Sequence, residues 1–308
     1  MILCLCPNPS VDSYAWLNTM DTGTVNRISS LKAFPGGKGT HVACALNEMG
    51  IPVKLMGIWA GKSGEYIRQE CHKRNIPTCG IEIDGENRRC YTFRSLNTAF
   101  NSTELLEPGP ELLEQNWKEF LKDFRKQITE VQLIIISGSF PKNAPQDAYL
   151  QLIELCNRVG KKVIIDCSGI QLKNAMRSSF FGIHINEQEI RNLAAHNSIT
   201  DTIKSLKEKT TWLALTLGKK GLRLIKGNEE VQANVVVNNV KSTVGSGDCL
   251  TAGIAAAIFK KLGMKEIARY GVAFGAANCL NENLGMLRKE DVNDLIRNVN
   301  IKISSYVS

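Results

Sequence analysis

Metal-binding patterns are missing from this sequence, although ten cysteines are present. None of the ten falls at a paired metal-ligand spacing, and the four histidines are dispersed. Cys4 and Cys6 sit inside an apolar run, and several of the other cysteines fall on apolar faces, where a free thiol behaves as a small hydrophobe. Also lacking are an apolar run long enough to cross a bilayer and the pattern of a signal peptide. Reduced thiols in a cytoplasm are therefore expected, and a membrane partner is not. No basic run alternates with aromatics, which removes the usual footprint of a nucleic-acid binder. The net charge of +8 is interspersed with acids and fits, at most, small anionic substrates. Internal repeats, low-complexity segments and obvious linkers are absent as well.

What is present is a globular composition: 308 residues, 43% hydrophobic and 22% charged. Apolar strand patterns at 2–6, 53–59, 131–136, 162–166, 181–185 and 212–217 alternate with amphipathic helical patterns. The helical patterns lie near 42–49, 64–75, 111–128, 145–159, around Ile190 and Leu193, and at 199–209. Near-continuous apolar strands between amphipathic helices predict a mostly parallel sheet covered on both faces. Two segments, about 10–34 and 86–107, alternate polar and apolar residues without helical periodicity. They are expected to be exposed strands forming a small β lid on a single domain spanning 1–308.

The most informative stretch is Ser242-Thr243-Val244-Gly245-Ser246-Gly247-Asp248. A β-branched run over 234–244 is expected to end as a strand at the glycines, where a small-residue helix begins. Backbone N–H groups of Gly245, Ser246 and Gly247 would then form an anion site at a helix N-terminus. Asp248 opposes an anion there unless it takes a proton, which is what a general base beside a phosphate acceptor does. An aspartate that merely complements the helix dipole is the alternative. Gly57-Ile58-Trp59-Ala60-Gly61-Lys62-Ser63 mimics a P-loop but has three residues, not four, between its first glycine and Gly-Lys. It is read as an ordinary loop.

Asn8-Pro9-Ser10-Val11-Asp12, Gly36-Gly37-Lys38-Gly39, Ser137-Gly138-Ser139 and Gly245-Ser246-Gly247-Asp248 occur in this order. From residue 2 to about residue 287 the chain resembles the PfkB/ribokinase-like family of carbohydrate kinases. It is most similar to the 1-phosphofructokinase and tagatose-6-phosphate kinase branch. The resemblance implies a three-layer α/β/α sandwich with a β-sheet lid that often makes a homodimer interface. It also implies ATP and Mg²⁺, with K⁺ as a further candidate, and transfer of the γ-phosphoryl group to a sugar or sugar-phosphate hydroxyl.

Site residues follow from the same resemblance. Asp248 would be the base, and the N–H groups of Gly245, Ser246 and Gly247 would hold the developing charge. Asp12, Gly36, Gly37, Lys38, His41, Arg88 and Ser139 would face the sugar phosphate. Arg88, Lys38 and Ser139 would converge on its phosphate. Asn186, Thr216, Gly218, Gly221 and Asn278 would lie on the nucleotide side, and Glu189 would position Mg²⁺ through water. Relatives commonly have Asn at the place of His41 and Lys-Pro-Asn at the place of His184-Ile185-Asn186. A kinase of an unphosphorylated sugar or nucleoside, or a catalytically silent sugar-binding regulator, are the other readings.

Overall fold

Alternation along the first strand sets the architecture. In β1 (Ile2–Cys6) the side chains of Ile2, Cys4 and Cys6 enter one hydrophobic cluster and Leu3 and Leu5 another, and all five are buried. A strand wetted on neither face needs helices on both. The computed structural model describes residues 1–97, 99–195 and 197–305. Thr98, inside the second expected excursion, and His196 lie outside them.

After β1 come β2 (Ser10–Trp16), β3 (Ser30–Gly36), α1 (Lys38–Glu48), β4 (Val53–Ala60), α2 (Gly61–Lys73), β5 (Thr78–Ile83), β6 (Arg88–Arg94) and β7 (Glu104–Leu106). The middle of the chain alternates more strictly. It runs α3 (Glu114–Gln127), β8 (Leu133–Ser137), α4 (Ala148–Arg158), β9 (Lys162–Asp166), α5 (Gly169–Ala175), β10 (Phe180–Asn186), α6 (Glu187–Ala194), α7 (Ile199–Lys209) and β11 (Thr210–Thr216). A hairpin of β12 (Leu222–Lys226) and β13 (Glu229–Asn234) follows, then α8 (Ser246–Phe259), α9 (Met264–Cys279), α10 (Lys289–Asn298) and β14 (Asn300–Ser305).

The main sheet has ten strands in the order β14-β13-β12-β11-β10-β9-β8-β1-β4-β5. It is parallel from β5 to β11 and antiparallel across β12, β13 and β14. One face carries α1, α2, α8, α9 and α10, the other α3, α4, α5, α6 and α7. This is the expected three-layer sandwich. Each fully buried Ile or Leu of the central strands contributes about 1.5–3 kcal/mol of transfer free energy. A second, four-stranded sheet has the order β3-β2-β6-β7, with β2 and β6 parallel and the outer pairs antiparallel.

The passage from the main sheet to the small one is fixed by a single buried amide. Asn87 accepts from the Ala60 N–H (2.8 Å) and donates to the Ile58 carbonyl (3.0 Å), both in β4. Arg88 and β6 begin at the next residue, so the start of the small sheet is bolted to the end of a core strand.

Several expectations need correction. The β-branched run 234–244 is not a strand: β13 stops at Asn234, where its partner β14 begins, and the following residues have no ladder to join. Val236 and Val240 point to solvent there. The first excursion is not exposed throughout, because Ser10, Ser13, Tyr14 and Ala15 of β2 are buried between α2, β3 and β6. The strand β5 was not evident in the sequence: Thr-Cys-Gly-Ile-Glu-Ile carries polar residues because it lies at the sheet edge. The short helix α5 was likewise unsignalled. The P-loop mimic is spent on structure: Gly57 to Ala60 belong to β4, and Glu86 accepts the Lys62 and Ser63 N–H groups at the start of α2. That helix N-terminus already holds an anion of its own.

Candidate active site

The carboxyl ends of the central parallel strands bring together two charged clusters. The first surrounds Asp248. Gly245 caps α8 in the left-handed region (φ 83°), which turns the chain sharply so that Asp248 falls in the first helical turn. The Ser246 N–H is turned back onto the Thr243 carbonyl (3.2 Å). The Ser246 N–H is thereby drawn away from the anion hole expected of Gly245, Ser246 and Gly247, while the first-turn N–H groups of Gly247 and Asp248 precede the first helical hydrogen bond and stay open.

Asp248 is buried, and its Oδ2 lies 2.8 Å from His41 Nδ1. On the far side of the same ring, His41 Nε2 lies 3.2 Å from Asp12 Oδ2, off the hydrogen-bond direction. The Ser10 hydroxyl donates to Asp12 Oδ1 (2.6 Å), and the Gly37 N–H reaches Oδ2 at 3.5 Å. Gly36 presses against this carboxylate so closely that any side chain there would collide with it. Burial alone disfavours the imidazolium. The carboxylates of Asp12 and Asp248, one on each side of the ring, outweigh it and lift the ring from 6.5 to about 10. For Asp12, burial raises the carboxyl, but the adjacent His41 ring, the Ser10 hydroxyl and Arg88 together hold it below its ordinary value.

The second cluster surrounds Asp166, fully buried at the end of β9. Lys38, at the start of α1, places Nζ 2.8 Å from Asp166 Oδ1 and 3.8 Å from Glu189 Oε1. His184, at the end of β10, places Nδ1 3.1 Å from Asp166 Oδ2 and Nε2 3.2 Å from the Thr216 hydroxyl. Burial raises the Asp166 carboxyl, and the charges of Lys38 and His184 more than reverse this, holding it far below the usual carboxylate range. The Asp166 charge in turn pushes the Lys38 ammonium well up. A side chain on Gly247 would come within 3.1 Å of His184, so the two clusters abut at the start of α8.

The remaining sites divide. Asn186 and Glu189 form a reciprocal capping box at the start of α6, with Glu189 N–H to Asn186 Oδ1 at 2.8 Å and Asn186 N–H to Glu189 Oε2 at 2.9 Å. Glu189 Oε1 stays outside the box. Ser139 is exposed after β8, and the neighbouring Gly138 runs against the Lys38 stem. Arg88 is half-buried, with Nε on the Asn8 carbonyl at 3.3 Å. Gly218 is exposed just after Thr216, with open space around it. Gly221 instead shapes the entry to the β12–β13 hairpin, against the Ala233 carbonyl. Asn278 is sealed inside, its amide donating to the Met286 carbonyl at 2.9 Å.

Sequence reasoning missed Asp166 and Gly285. A lone carboxylate closing the apolar run Val163-Ile164-Ile165 was a usable signal for the first, since parallel strands present ligand-facing residues at their carboxyl ends. Nothing local marks Gly285, which packs its backbone on the His41 ring.

Among the described residues no three His, Cys, Asp or Glu side chains converge as a metal cage. Glu189 Oε1, outside the capping box and 3.8 Å from Lys38 Nζ, fits a Mg²⁺ ion held mostly by phosphate oxygens and water, as that ion prefers. Among the same residues no helix is long and apolar enough to cross a membrane.

A family profile described as pfkB family carbohydrate kinase matches residues 8–289. A putative phosphofructokinase from Staphylococcus aureus superposes with a TM-score of 0.81 at 25% identity, covering 100% of each chain. Phosphofructokinase-2 from Escherichia coli, solved in complex with potassium, gives 0.86 at 22% identity over 96% of this chain and 98% of its own. A possible 1-phosphofructokinase from Thermotoga maritima gives 0.86 at 21% identity over 99% of each.

The His41 bridge makes a prediction about stability. A group whose value rises on folding stabilises fully below its unfolded value, and that contribution is lost as pH climbs through the folded one. The stability advantage of the native protein over His41→Asn should therefore be greatest near pH 6.5 and shrink towards about pH 10. The slope is at most about 1.4 kcal/mol per pH unit. Urea unfolding of both proteins across this range measures it, and a gap independent of pH would contradict the bridge.

Proposed function

Because the chain belongs to the pfkB family of carbohydrate kinases, we propose that it transfers the γ-phosphoryl group of ATP to a hydroxyl of a ketohexose phosphate, giving a bisphosphate. Fructose 1-phosphate, tagatose 6-phosphate and fructose 6-phosphate are the candidate acceptors. The observation that carries this reading is Asp248. It stands in the first turn of α8 with one carboxylate oxygen held by His41, leaving Oδ1 for an incoming hydroxyl beside backbone donors.

Phosphoryl transfer asks little covalent chemistry of a protein and much positioning. ATP with Mg²⁺ supplies the phosphoryl group and part of the neutralising charge. Asp248 takes the proton of the acceptor hydroxyl, and the open N–H groups at the start of α8 stabilise charge on the transferred group. Asp12 accepts from sugar hydroxyls, its carboxylate set by Ser10 and by the backbone of Gly36 and Gly37. Asn186 and Glu189 orient the phosphates and the metal. Thr216 and Gly218 lie on the nucleotide side, with open space at Gly218 for the nucleotide. His41 and His184 are both seated among carboxylate and hydroxyl partners, which gives a silent regulator no particular support.

Two substitutions probe the assignment. Asp248→Asn keeps the shape of the carboxylate and removes its basicity, so kcat should fall by about 10² or more while the protein stays folded. The readout is ADP release with ATP·Mg²⁺ and a panel of ketohexose phosphates, free sugars and nucleosides. Near-normal turnover in a folded Asp248→Asn protein would falsify the role. A native protein preferring free fructose or a nucleoside would overturn the substrate class.

Arg88 bears on the acceptor's own phosphate. Its guanidinium can give a forked contact to a dianion, with Ser139 and the partly exposed Lys38 ammonium approaching from other strand ends. Loss of such a contact costs about 2–3 kcal/mol. Arg88→Ala should thus raise the sugar-phosphate KM by roughly 30-fold or more with little change in the KM for ATP. An unaltered sugar-phosphate KM would rule Arg88 out.

The small sheet serves as a lid that pairs with a second subunit. Leu31 on one edge strand and Leu105 and Leu106 on the opposite one stand exposed, apolar side chains that a second copy would cover. Light scattering should return a dimer at micromolar protein. A strict monomer, with or without sugar phosphate, would count against this arrangement.

A further inference from the structure

One ring stands between the two aspartates of the first cluster, and its surroundings leave it little freedom. His41 lies on α1 with 4% of its side chain exposed. Nδ1 faces Asp248 on α8 and Nε2 faces Asp12 on β2, at 2.8 and 3.2 Å. The backbone of Gly285 covers the ring so closely that any side chain there would collide with it, and Gly245 flanks Nδ1. Little room is left for the ring to turn either nitrogen elsewhere.

Ionised carboxylates only accept hydrogen bonds. A neutral imidazole has one N–H and one lone pair, so it can satisfy one aspartate and must set a lone pair against the other. Only the doubly protonated ring suits both neighbours. Other groups share the field. Glu104 on β7 adds negative charge, Arg88 on β6 and the Cys90 thiol border Asp12, and Lys38 acts on Asp248 from the start of α1. Gly285 meets the ring with backbone alone.

We propose that His41 is a positioning residue that, as a single imidazolium, holds the base Asp248 and the sugar-side Asp12 at once, so that one proton governs both sugar affinity and turnover. The inference rests on the kinase reading for those two aspartates. The acceptor's proton passes from its hydroxyl to Asp248 Oδ1, and His41 keeps both of its own throughout. When the ring deprotonates, one aspartate faces a lone pair in place of an N–H and swings. Affinity suffers if it is Asp12, turnover if it is Asp248, and the two tautomers together affect both.

The test uses the full chain with ¹⁵N-labelled imidazoles, the His41 resonance being assigned by its loss in His41→Asn. In the native protein His41 should stay protonated through neutrality and titrate far above 6.5. Asp12→Asn and Asp248→Asn should each lower that midpoint by about one unit or more. In kinetics, the native protein should show a rising sugar KM and a falling kcat along one alkaline limb at the same midpoint. His41→Asn has an amide NH₂ on one side only and no titrating proton. It should have a reduced kcat, a raised sugar KM and no such limb. A midpoint near 6.5, or one that responds to only one of the two aspartate variants, overturns the bridge. So does an alkaline limb unchanged in His41→Asn. A protein that turns over no acceptor fails the kinase reading instead, which the resonance midpoint does not depend on.

Discussion

Three carboxylates, Asp12, Asp166 and Asp248, are buried together at the carboxyl edge of one sheet, and the structure around them is arranged to make that tolerable. An isolated buried charge is very costly, and removing one partner of a buried pair costs about 3–5 kcal/mol. Here the partners are His41 between Asp12 and Asp248, and Lys38 with His184 around Asp166. Lys38 and His41 lie in the first turns of α1, whose start is fixed by the glycines after β3. His184 is the penultimate-but-one residue of β10, with Thr216 in register beside Asn186 on the neighbouring strand. A cation at a helix N-terminus is disfavoured by the helix dipole, so Lys38 is there because anions are.

The small sheet is part of this economy. Asp12 belongs to β2 and Arg88 to β6, paired in parallel, so the small sheet brings in together the carboxylate and the guanidinium proposed to meet the sugar and its phosphate. Asn87 ties the start of β6 to β4, and the Asn8 carbonyl receives Arg88 Nε. A shift of the lid would therefore move both groups relative to Asp248, which is anchored in α8.

Much of this was legible in the sequence, for physical reasons. Two-sided burial leaves near-continuous apolar runs, so β1, β8, β9, β10 and β11 read clearly, and glycines had to stand where Gly36 meets Asp12 and where Gly245 turns left-handed. What did not read locally depends on partners distant in the chain. The β-branched run 235–244 looks like a strand and lacks a neighbour to pair with, whereas the polar β5 pairs because β4 has a free edge. β2 looks exposed, yet α2 and β6 bury it. Asp248 was marked by its glycines, but its pairing with His41, 207 residues away, was not; His41, expected on the sugar side, lies between two aspartates.

The central claim is that Asp248 Oδ1 receives the acceptor hydroxyl while His41 holds Oδ2. A crystal structure with a sugar phosphate and a non-hydrolysable ATP analogue tests it most directly. The account predicts an acceptor hydroxyl within about 3 Å of Oδ1, the His41 bridge intact, and the sugar's phosphate against Arg88. A sugar bound with no hydroxyl near Asp248, or with His41 turned away from both aspartates, would contradict it.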